Sequence, residues 1–153
     1  MTNDAQRAAV QAFYKAYAAR DVERMAEFLH PDVQWTISGP IDVLPFCGKR
    51  EGKAAVIDML KRQVPTIFRN YQFGHDAMLI DGDHAATLIR LSAQGTDGRA
   101  ISYRLANFMW FRDGKIIRYV TLLDSFDAVE QVLGHAIGVG ESAVGADNDF
   151  VAV

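Results

Sequence analysis

Two polar side chains interrupt otherwise apolar runs in the second half of this 153-residue chain. Asn107 lies within Leu105-Ala106-Asn107-Phe108-Met109, and Asp124 follows Tyr119-Val120-Thr121-Leu122-Leu123. A carboxylate held in an apolar cavity loses hydration, so its pKa rises toward the range where it serves as an acid or base. An amide in the same place donates a hydrogen bond to a carbonyl or hydroxyl oxygen. Asp124 and Asn107 are therefore the candidate catalytic pair, Asp124 to move a proton and Asn107 to polarise an oxygen. Each has a plainer alternative. Asp124 also suits the cap of a following helix, and Asn107 suits a neighbouring backbone partner.

Other residue types add less chemistry. The four histidines (His30, His75, His84, His135) have no close spacing with carboxylates, so no metal site is expected. His84 belongs to an exposed turn and His75 to a strand surface. Cys47, the single cysteine, excludes an internal disulfide, and no base stands beside it in sequence. Arg90, inside Leu88-Ile89-Arg90-Leu91, is read as an interface residue whose stem packs while its head stays wet. No cofactor is implied.

The elements that must position these residues follow from periodicity. Residues 4–19 form an amphipathic helix with Phe13, Ala16 and Tyr17 at helical spacing, and Tyr14 and Tyr17 lie three apart. Asp21 caps a second helix through Val22, Met25, Phe28 and Leu29, which His30-Pro31 ends. Val33–Ile37 reads as a strand, 39–48 as irregular, and Gly52–Val64 as a third helix stopped by Pro65. Then the period changes to two: Tyr71–Ile80, Ala85–Gln94, Arg99–Phe111 and Lys115–Leu123 are strands joined by short turns. Asp113-Gly114 marks the last hairpin. A short helix from Ala128 to Leu133 ends at Gly134.

Helices packed on a run of antiparallel strands give an α+β fold, a curved sheet whose one face the helices cover. The enclosed space suits a small hydrophobic molecule. Alternation puts Tyr103, Leu105, Asn107 and Met109 on one face, and Phe13, Tyr17, Trp35 and Phe46 complete the expected wall. The strands from Ala85 to Leu123 are apolar on both faces, so a homodimer is expected to cover the second face.

Length fits one domain, placed at 1–134, with 135–153 as a loosely held tail. The net charge of −3 and the scattered Lys and Arg give no reason to expect nucleic acid or an anionic membrane. No apolar run is long enough to span a bilayer, and residues 1–7 lack a signal-peptide pattern. A cytoplasmic protein is the expectation.

Several stretches together resemble a known family. Val33-Gln34-Trp35-Thr36-Ile37-Ser38-Gly39, Pro45-Phe46-x-Gly48, Gly52-Lys53-Ala54-Ala55-Val56 and Phe111-Arg112-Asp113-Gly114-Lys115-Ile116 resemble the SnoaL-like, ketosteroid-isomerase-related proteins of the nuclear transport factor two-like superfamily. The resemblance covers about residues 5–134 and implies a cone-shaped, cystatin-like roll with three helices from the N-terminal half. It carries roles residue by residue. The steroid isomerases' general-base position falls on Ile37, which accepts no proton and becomes a wall residue. Their oxyanion tyrosine falls near Phe13, with Tyr14 and Tyr17 close by, and their oxyanion Asp falls on Asn107. Ile37 also argues against the superfamily's epoxide hydrolases. Asp124 matches an Asp near the last-strand end that SnoaL-like cyclases are proposed to use in proton transfer. Steroid isomerisation by the base-dependent route is thus not expected. Three functions stay open: an acid–base enzyme of isomerase, cyclase or dehydratase type acting on a small carbonyl or hydroxyl compound, a non-catalytic hydrophobic-ligand binder, and a dimeric interaction module.

Overall fold

A computed structural model describes residues 2–138. Helix α1 (Asn3–Ala18) begins where the Thr2 hydroxyl accepts the Ala5 amide at 3.1 Å, and it buries Val10, Phe13 and Tyr14. Asp21 caps α2 (Val22–Glu27) by accepting the Arg24 amide at 3.0 Å. This helix is shorter than the sequence pattern suggested. Leu29 already belongs to strand β1 (Leu29–Ser38), because the Phe28 carbonyl accepts the Ile116 amide at 2.8 Å and draws the chain into the sheet.

Six strands form one curved, unclosed sheet in the order β2-β1-β6-β5-β4-β3. Strands β3 (Phe68–Asp81), β4 (His84–Gly95), β5 (Ala100–Arg112) and β6 (Lys115–Leu123) are consecutive antiparallel neighbours. The β5–β6 turn has φ of 53° at Asp113 and 72° at Gly114, the left-handed pair that matches strand twist in a two-residue hairpin. Two features escape the sequence pattern. β1 lies parallel to β6, a pairing that local periodicity cannot reveal. The edge strand β2 (Gly48–Glu51) is made of Gly-Lys-Arg-Glu and lacks any apolar alternation.

The expected third helix is a composite. Regular α3 (Lys53–Asp58) passes into a π-helical turn over Met59–Gln63 and a 3-10 turn over Val64–Thr66. Pro65 has no amide to continue the α-helical ladder, which accounts for the final tightening. Helix α4 (Ser125–Leu133) starts three residues earlier than the pattern indicated and ends at Gly134, in the left-handed region with φ of 80°. Residues 135–138 are exposed, and the remainder of the tail expected over 135–153 lies outside the described residues. No helix among the described residues is long and apolar enough to cross a membrane.

The sheet has one covered and one open face. Helices and the 40–47 loop lie over the concave face, where Ile89, Leu91, Ile101, Tyr103 and Met109 are buried. On the convex face, adjacent strands place Leu88, Ala106 and Leu122 in one row and Ala86, Phe108 and Val120 in the next. Leu88 and Phe108 are 40% exposed there and Leu122 51%.

Candidate functional site

Between the concave face and α1 lies a narrow cavity. The space between its lining atoms is about 500 Å³ including the opening to solvent, and it forms an open slot walled by aromatic and aliphatic side chains. All five tyrosines of the chain line it: Tyr14 and Tyr17 from α1, Tyr71 from β3, Tyr103 from β5 and Tyr119 from β6. Phe46, Phe68 and Phe73 add three more rings, and Ile37, Val64, Ile89, Leu91, Leu105 and Leu123 complete the apolar wall. Among the described residues, no carboxylate, histidine, lysine or arginine lines the slot.

Its hydrogen-bonded polar side chains gather at one level of the sheet, where Thr87, Asn107 and Thr121 are directly paired across β4, β5 and β6. Thr121 Oγ1 donates to Asn107 Oδ1 at 2.7 Å, and Asn107 Nδ2 donates to Thr87 Oγ1 at 3.2 Å. Thr87 Oγ1 in turn lies 2.8 Å from the Tyr14 hydroxyl, which is 3.3 Å from that of Tyr119. These bonds are consistent with one donor order running Thr121, Asn107, Thr87, Tyr14. That order leaves the Tyr14 proton for the Tyr119 hydroxyl or for an oxygen in the slot. Linked bonds of this kind polarise one another in a low-dielectric interior.

Burial dominates the ionisation of this cluster. It pushes Tyr14 up to about 12, against the smaller opposing effect of the Thr87, Tyr119 and Asn107 hydrogen bonds. Burial likewise drives Tyr17 and Tyr119 well above the usual phenol value, and it raises Tyr71 to about 12 and Tyr103 further. Every phenol is therefore neutral at physiological pH, a hydrogen-bond donor and not a base.

The structure divides the residues singled out in the sequence. Asn107, Tyr17, Ile37, Phe46 and Tyr103 stand on the slot wall. Asp124 does not. Leu123 points inward, so the pleat turns Asp124 to the other side, where it is exposed. It heads α4 through its backbone, its carbonyl accepting the Ala128 amide at 2.9 Å, with no side-chain capping bond. Its expected place in an apolar cavity is thus corrected. Phe13, Trp35 and Met109 are core residues instead of wall residues. Phe13 turns to Phe28 and Trp35 as well as to Tyr14, and Trp35 stacks on Tyr119 at 3.9 Å and 8°. Met109 is buried one inward-facing step beyond Asn107.

Of Phe13, Tyr14 and Tyr17, it is Tyr14 that lies at the polar level, while Tyr14 and Tyr17 both line the slot. Thr87 and Thr121 were not singled out in the sequence. Their signal was a threonine on the inward alternation of an apolar strand, and it becomes informative only with the cross-strand register. His75 is exposed at the sheet edge, its ring 5.0 Å from that of Tyr14, and desolvation lowers its pKa. Arg90 lies on the convex face directly opposite Arg104. Cys47 is buried behind the loop, and burial pushes its thiol up to about 11 against the opposing charge of Arg50.

Arg50 organises the loop that carries Phe46. Its guanidinium donates to the carbonyls of Pro45, Phe46 and Cys47 at 2.9, 3.1 and 2.7 Å, and it also bonds Gln63 Oε1. One cation thereby ties the loop wall to the π-helical turn.

The fold has known counterparts. The SnoaL-like domain model matches residues 10–119, and the chain belongs to that family. A protein from Rhodopseudomonas palustris described as "Putative Isomerase" is 36% identical, with a TM-score of 0.74 over 82% of this chain and 93% of that one. An NTF2-like protein of unknown function from Burkholderia pseudomallei is 21% identical (TM-score 0.75, covering 90% of this chain and 100% of that one). A Catenulispora acidiphila protein with a ketosteroid isomerase-like fold, solved with trimethylamine, is 12% identical (TM-score 0.70, covering 83% and 92%). These last two likenesses concern the fold. No curated protein matches the chain in sequence.

Proposed function

We propose that the slot binds a small, uncharged, largely apolar molecule through one carbonyl or hydroxyl oxygen, which Tyr14 and Asn107 polarise by hydrogen-bond donation. The observation that carries this reading is the cluster of Tyr14, Thr87, Asn107, Thr121 and Tyr119 on one level of an otherwise apolar wall. Charged ligands are disfavoured because no opposite charge lines the slot to offset desolvation. Calorimetry with a panel of aromatic ketones and phenols tests the reading against the matching aromatic carboxylates. The uncharged compounds should bind and the carboxylates should not. Equal binding of both sets refutes it.

A second reading, isomerase-type turnover, is favoured by one observation. Tyr14 and Asn107, which the family resemblance relates to an oxyanion hole, face the same hydroxyl of Thr87. Donors so placed stabilise negative charge developing on a bound carbonyl oxygen. The proton acceptor would have to come from outside the slot wall, since Ile37 occupies the base position. We also propose a homodimer through the convex sheet face, which a single chain leaves apolar and exposed.

A further inference from the structure

The slot has a second polar station. Four residues along β5 from Asn107, on the same inward alternation, stands Tyr103. At about 3.4 Å per residue the two positions are about 14 Å apart along the strand. Tyr103 is 3% exposed and Tyr71 is 6%. Neither their hydroxyls nor that of Tyr17 makes a hydrogen bond among the described residues, in contrast to Tyr14 and Tyr119. None of the three is sealed away: the buried side-chain polar atoms lacking both a partner and contact with solvent-sized space are Gln6 Nε2 and Trp35 Nε1. Polar groups that line a cavity without a protein partner are paired by water or by a ligand. Three phenol hydroxyls grouped at one end of the cavity offer a hydrogen-bonding site to an oxygen that enters it.

Their convergence is geometric. Tyr17 lies one helical turn beyond Tyr14 and packs edge-on against Tyr71 at 5.8 Å. Phe68 bridges Tyr71 and Tyr103, at 6.3 and 6.5 Å respectively. Between the two stations, the one inward-facing level of the sheet is made of Ile89, Leu105 and Leu123, with no polar side chain.

Building on the binding reading above, we infer that the ligand is two-ended: a flat apolar body with one oxygen at the Tyr14–Asn107 level and a second oxygen at the Tyr17–Tyr71–Tyr103 level. The eight aromatic rings of the wall favour an aromatic or conjugated body, and the neutral lining favours uncharged oxygens, as in phenols, enols or ketones. A molecule with a single oxygen leaves the second station to water.

The test compares 4-hydroxybiphenyl with 4,4′-dihydroxybiphenyl by isothermal calorimetry on the full chain. One additional neutral hydrogen bond corresponds to about a three- to tenfold gain in affinity, beyond the about twofold statistical advantage of a symmetric diol. The diol should therefore bind about six- to twentyfold more tightly. Tyr103→Phe keeps the ring and removes only an unbonded hydroxyl, so it should fold normally. Together with Tyr71→Phe and Tyr17→Phe it should reduce the diol's preference over the mono-ol to about twofold. A wild-type preference of about twofold or less overturns the second station while leaving the pocket reading intact. So does a larger preference that survives all three substitutions. Binding of neither compound overturns both.

Discussion

Asn107→Asp places a titratable carboxyl at a fully buried position whose neighbours are all neutral. Protonated, the new group keeps the native pattern. Its carbonyl oxygen accepts from Thr121 and its hydroxyl donates to Thr87, as the amide does now at 2.7 and 3.2 Å. Ionised, it loses the donor and must be desolvated with no cation in the slot, so its folded-state pKa rises above the unfolded value of about 3.9. The sign follows. Below about pH 3.9 both states hold the proton and the variant suffers no ionisation penalty. Above it the unfolded chain ionises first, and the variant loses about 1.4 kcal/mol relative to wild type per pH unit until the folded pKa is reached. By pH 7 the loss reaches at most about 4 kcal/mol. Urea denaturation of both proteins at pH 4, 5.5 and 7 measures the difference, with unchanged m-values expected. Asn107→Leu is the control, with a pH-independent loss of about 1–3 kcal/mol for the unpaired Thr121 hydroxyl. A difference between Asn107→Asp and wild type that stays constant from pH 4 to 7 refutes the account of the cluster as dry and uncharged.

Further expectations concern the surroundings of the slot. Cys47, with its thiol raised to about 11 by burial, should react with iodoacetamide at pH 8 far more slowly than free cysteine, and a matching rate would show the loop to be open. Arg50→Met leaves three loop carbonyls without their donor and should speed protease cleavage within residues 40–50, whereas an unchanged cleavage rate would show that the loop holds without it. Light scattering at micromolar concentration should give a dimer, and Phe108→Lys should give a monomer. A monomeric wild type removes the proposed role of the convex face.

The hairpin, the Asp21 cap and the Gly134 stop could all be recognised in the sequence because each depends on a few adjacent residues and their backbone preferences. The inward face of β5 was equally legible, since alternation alone puts Tyr103, Leu105 and Asn107 together. Strand β2 was not, because a short polar edge segment is held by the register it finds on β1 and not by its own pattern. Asp124 marks the same boundary. A one-residue step along a pleated strand reverses the direction of a side chain, and only the place where β6 ends shows that Leu123 took the inward position.

By itself, then, the sequence determined the order of the helices and of the longer strands, the aromatic character of the interior and the absence of a carboxylate at Ile37. All of these depend on residue type and short-range spacing. Tertiary structure decided that Thr87, Asn107 and Thr121 share one level, that Tyr14 and not Phe13 meets them, and that five tyrosines spread over 105 residues of chain converge on one slot. Such contacts arise from sheet register and helix docking, which join residues distant in sequence and leave no periodic trace along it.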